Sequence, residues 1–195
     1  QEATSPHRAP SRERSASYEQ AIKVFRDGWE ALNRGDYRRA FTKFEQGRAI
    51  DEETAEEVLR HLREWVTRHR LNAMWVERYL AFVPDDAKTR TRWADELLRK
   101  GDHSGAWRHY RILYEQDPEV REQIANRLRG AGAFQDRVVV ADFIELALRI
   151  QGAGVVSAIS SAGELLLPED VEAYLREILT TWTPGEEMRA AAQEL

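Results

Sequence analysis

Glu57, His61 and Glu64 stand at i, i+4 and i+7, a spacing that puts all three on one face of a helix. Two carboxylates and an imidazole so arranged could begin a metal site. A zinc centre needs four ligands, or three and a water, in a tetrahedral set, and no neighbouring segment supplies the remainder. The trio therefore reads as polar pairing on a solvated face. His103 and His109 do not share a helix face at their spacing. Ser157, Ser160 and Ser161 lie in a run of small residues and read as packing spacers. The acidic run "DEETAEE" from Asp51 suits a helix N-terminus, where the backbone dipole favours negative charge. The chain contains no HExxH, no Gly-rich phosphate loop and no GxSxG. With no cysteine, thiolate nucleophiles, thiolate metal ligands and disulfides are excluded together. The expectation is a protein that is not an enzyme and takes neither metal nor cofactor.

The elements that carry these residues belong to a chain of 195 residues with a formal charge of −5. That charge argues against a nucleic-acid binder that works by bulk electrostatics. Of the 29 basic residues only four are lysine, an arginine bias that points to a GC-rich, bacterial genome. Basic side chains are scattered among acids, as on solvated helix faces. The most apolar run, "VVSAISSAGELLLP" from Val155, is interrupted by three serines and Glu164, so no segment is read as spanning a membrane. The chain opens on Gln1, and the preferred reading is a cleaved export signal, with a start inside a longer chain as the alternative. Residues 1–16 are rich in Pro, Ser and Arg without apolar period and read as a flexible tail.

From Ser17 onward the apolar residues recur at helical spacing: Ile22, Phe25, Trp29 and Leu32, then Ala40, Phe41 and Phe44, then Leu59, Leu62, Trp65 and Val66. Capping boxes are read at Ser17/Gln20, Thr54/Glu57 and Thr183/Glu186. Asp117–Pro118 offers an N-cap followed by proline at the first helical position. No run alternates with period two. The pattern predicts an all-α chain of about eleven helices, with turns near 34–36, 50–53, 68–70, 83–86, 100–102, 116–117, 130–132 and 152–154. The six tryptophans are mostly assigned to the core.

Two stretches overlay at an offset of 66 residues, "GWEALNRGDYRRAFTKFEQGRAIDE" from Gly28 and "ADELLRKGDHSGAWRHYRILYEQDP" from Ala94. Glu30 meets Glu96, Leu32 meets Leu98, and Gly35–Asp36 meets Gly101–Asp102. Ala40 then meets Ala106, Phe44 meets Tyr110, and Asp51 meets Asp117. Glycine is expected to end the first helix of each hairpin in the left-handed conformation. The alanines allow close approach of the two helices, and the aromatic one turn later fills the gap beside the preceding helix.

These residues resemble the tetratricopeptide repeat, a helical hairpin of about 34 residues with W, L-G, Y, A, F and P at characteristic positions. Hairpin 18–51 carries Gly28, Gly35, Asp36, Tyr37, Ala40 and Phe44. Hairpin 88–118 carries Ala94, Leu97, Gly101, Asp102, Ala106, Tyr110 and Pro118. Segment 53–86 fits as a divergent hairpin, and 119–152 and 154–182 as weaker ones. Residues 183–195 form a C-terminal helix or the start of a further segment. The resemblance implies a right-handed superhelical solenoid over 17–182 whose function is protein–protein interaction. It further implies a concave groove lined by first helices: Ile22, Phe25 and Trp29, then Glu57, His61 and Glu64, then Lys88, Thr91 and Asp95. The set lacks the Lys/Arg/Asn pattern that clamps a C-terminal carboxylate, and Phe25 with Trp29 is expected to expose an apolar patch, unless the tail or the next hairpin covers it. The expected role is an accessory or assembly subunit of a larger bacterial complex, periplasmic or otherwise exported. The alternatives are a reversible adaptor that captures a peptide or helix, and a cytoplasmic location. The partners are proteins, with no nucleic acid and no direct membrane span; membrane association through a partner stays open.

Overall fold

The computed structural model describes residues 16–151, which fall into two compact units divided between Asp86 and Ala87. That division lies at the expected end of hairpin 53–86. The first unit contains α1 (Ala16–Asn33), α2 (Tyr37–Ile50), α3 (Glu52–Arg68) and α4 (Val76–Phe82). The second contains α5 (Ala87–Arg99), α6 (His103–Gln116), α7 (Arg121–Gly130) and α8 (Arg137–Gln151), with 3-10 turns at Pro118–Val120 and Ala133–Gln135. The described residues are all helix, turn or coil, as the apolar periodicity predicts.

The repeated sentence in the sequence is a repeated piece of backbone. Gly35 and Gly101 adopt left-handed φ of 77° and 78°. At the first turn the Gly35 N–H donates to Leu32 O at 3.0 Å and the Asp36 N–H donates to Ala31 O at 2.9 Å. At the second, the Gly101 N–H donates to Leu98 O and the Asp102 N–H to Leu97 O, both at 2.9 Å. This is the Schellman closure, in which a 6→1 and a 5→2 bond satisfy carbonyls the helix leaves open. Each following aspartate then opens the second helix. Asp36 accepts from the Arg39 N–H at 3.2 Å, and Asp102 accepts from the Gly105 N–H at 2.9 Å. One aspartate thus closes α1 by its backbone and starts α2 by its side chain, so the hairpin needs no longer loop.

Packing follows the same template in each unit. Ala40 and Ala106 are fully buried, as are Phe44 and Tyr110 one turn later. In the first unit Trp29 stands edge-on to Phe44 at 5.4 Å between centroids, while Phe82 from α4 lies 5.9 Å from Phe44 and 6.2 Å from Phe41. In the second unit Phe143 from α8 lies 5.5 Å from both Trp107 and Tyr114, and Phe134 adds a ring at 4.9 Å from Phe143. A later helix therefore delivers one phenylalanine onto the second helix of each hairpin. The edge-to-face pairs among these, Trp29 with Phe44 and Phe143 with Trp107 and Tyr114, contribute about 0.5–1.5 kcal/mol each beyond area burial.

Three details differ from the sequence reading. The cap of α3 is Asp51, which accepts from the Thr54 N–H at 3.1 Å. Thr54 sits inside the helix and is 5% exposed, because the acidic run begins one turn earlier than a Thr54 cap requires. The second helix of the divergent hairpin is only the seven residues of α4. His69 to Trp75 forms an irregular link before it, and Pro84 disfavours helix at the preceding Val83. Asp117–Pro118 does act as cap and first position, but of a 3-10 turn leading into α7. The capping readings at Thr183/Glu186, the turn at 152–154, the hairpin 154–182 and the segment 183–195 lie outside the described residues, as do most of the tail and the end of hairpin 119–152.

Candidate protein-binding surfaces

In the first unit α1 carries Ile22, Phe25 and Trp29 on one stripe, and the structure divides them by accessibility. Ile22 and Trp29 are half-buried. Phe25 is 2% exposed, and its ring occupies the space that a side chain on Gly47 of α2 would need. The expected exposed patch at Phe25 and Trp29 is therefore corrected: the Phe25 ring packs inside the α1–α2 hairpin because Gly47 admits it, and Trp29 stays half-buried with one edge against Phe44.

The α3 set lies differently. Glu57, His61 and Glu64 are all exposed, while Ala55, Val58, Leu62 and Val66 make the buried face. Glu57 approaches Arg60 at 3.8 Å and Glu64 approaches Arg68 at 3.9 Å. Pairs this exposed contribute little to stability. Among the described residues no group of three or more His, Asp or Glu side chains is placed to hold a metal ion. The charged strip is available to solvent along its length.

In the second unit Lys88 is exposed, and Thr91 donates its hydroxyl to Ala87 O at 2.8 Å. Asp95 is engaged within the fold. Its carboxylate accepts two bonds from Arg127 of α7, both at 2.9 Å, and a hydrogen bond from the Tyr110 hydroxyl of α6. One aspartate thus ties α5 to α6 and to α7. Burial and the hydrogen bond to Asp95 both push the Tyr110 hydroxyl well above its ordinary range, with Arg127 opposing. Burial likewise raises Tyr114. At the end of α5, hydrogen bonds from Arg99 and Lys100 hold Glu96 down at about 2.

Several structural residues escaped the sequence reading. Arg48 donates to Phe82 O at 2.6 Å with its guanidinium carbon 3.8 Å from the Phe82 ring centre, pinning α4 to α2. Asp142 on α8 receives the Trp107 indole N–H at 2.5 Å and two bonds from Arg111 at 3.0 and 3.1 Å. Arg127 follows Asp95 by 32 residues, close to one repeat period, and that spacing was the signal available for it. With Glu122, Gln123 and Asn126 of α7 and Glu119 of the preceding 3-10 turn, it lines an open depression of about 440 Å³.

No family model, no curated protein and no solved structure matches this chain. The class is therefore set by what the residues show, an all-α chain of helical hairpins. Among the described residues no helix is long and apolar enough to cross a membrane.

Proposed function

We propose that this chain is a tetratricopeptide-like right-handed solenoid that acts as a non-enzymatic protein–protein interaction scaffold. Its role is that of an accessory or assembly subunit in a larger bacterial, exported complex. The observation that carries the reading is the duplication of one hairpin at 66 residues, down to the Gly–Asp turn and its paired hydrogen bonds. Serial helical hairpins expose long continuous surfaces and bury little that could be tuned into a catalytic pocket. Tyr110 and Glu96, two of the groups with shifted titration, fit this account, since each is engaged by fixed neighbours that tie helices or helix turns together.

The reversible adaptor is the competing form of the same function. The exposed strip of Glu57, His61 and Glu64 favours it, because a solvated charged face is suited to transient contact and electrostatic steering. Affinity purification of the tagged full-length protein from its native host separates the two. A stoichiometric complex that survives high salt supports the assembly subunit. Several substoichiometric partners, lost when Glu57, His61 and Glu64 are replaced together by alanine, support the adaptor. A chain that purifies alone under gentle conditions overturns both.

A further inference from the structure

We draw no further inference here: the strongest candidate, the buried side-chain cluster in which Arg90 Nη1 of α5 lies 3.4 Å from His109 Nδ1 of α6, joins the two helices of one hairpin, and nothing in the structure points from it to a ligand, a partner or a movement.

Discussion

A β-carbon built on Gly28 would lie 2.7 Å from the Phe44 ring. The glycine of α1 and the phenylalanine of α2 are thus two halves of one contact, in which the missing side chain is the room the ring occupies. Phe44 is fully buried and touches the Trp29 and Phe41 rings as well, so it has nowhere to retreat. Gly28→Ala gains helix propensity of about 1 kcal/mol and loses more to overpacking, which costs about 1–3 kcal/mol. The expected outcome is a lower urea midpoint with unchanged slope, and a smaller effect when Phe44→Leu is present in the same chain.

Gly35 and Gly101 should respond alike, for a different reason. A side chain at either position would meet nothing within 4 Å, so only the backbone objects. Gly35→Ala and Gly101→Ala are each expected to cost about 1–2 kcal/mol through the left-handed conformation, and asparagine at the same sites to cost less. Chemical denaturation of the four variants checks this. A marked difference between the two sites would show that the turns are not energetically equivalent.

Truncations should separate three surface members of the expected interaction set from Phe25, one of its structural members. Glu57→Ala, His61→Ala and Glu64→Ala are each expected to change stability by no more than about 0.5 kcal/mol. Phe25→Ala is expected to cost about 3–5 kcal/mol, because it empties the space over Gly47. Thermal melts of the four variants read this directly. A loss of partner binding in Phe25→Ala therefore says nothing about contact unless the fold is shown to survive.

Two titrations have opposite signs. Glu96 is held at about 2, below its ordinary value of 4.5, so its contribution is present above that ordinary value and is lost as pH falls through about 2. Carboxyl chemical shifts of Glu96 in an NMR titration should show the depressed midpoint, and Arg99→Gln should raise it. Tyr110 is raised above its ordinary value of 10.0, so its contribution is present below pH 10.0 and is lost as pH climbs through the folded value. Ultraviolet titration of tyrosinate should find Tyr110 still protonated where exposed tyrosines have ionised. Asp95→Asn should bring its ionisation to lower pH.

Much of the first level of structure was legible in the residues themselves. Helical period in Ile22, Phe25, Trp29 and Leu32, and the Gly–Asp pairs at 35–36 and 101–102, are local signals. A left-handed glycine followed by an N-capping aspartate is decided within a few residues of backbone, so the hairpins and their turns could be placed without coordinates. Asp51 and Thr54, one helical turn apart, are both residue types that can cap α3, and only the hydrogen bond from the Thr54 N–H to Asp51 chooses between them.

Accessibility needed the tertiary structure. Ile22, Phe25 and Trp29 have the same spacing whether they face a groove or a neighbouring helix, since period fixes which residues share a face and not what that face meets. Gly47, 22 residues beyond Phe25, decides that the ring goes inward. The links from Asp95 to Arg127, Arg48 to Phe82 and Asp142 to Trp107 join residues about 32–35 apart. Such pairings depend on how helices stack, which is a sum of many weak contacts spread along the chain. The sequence by itself determined the helical periodicity, the Gly–Asp turns and the duplication; the tertiary structure decided, among the described residues, which faces are core and which are open to solvent.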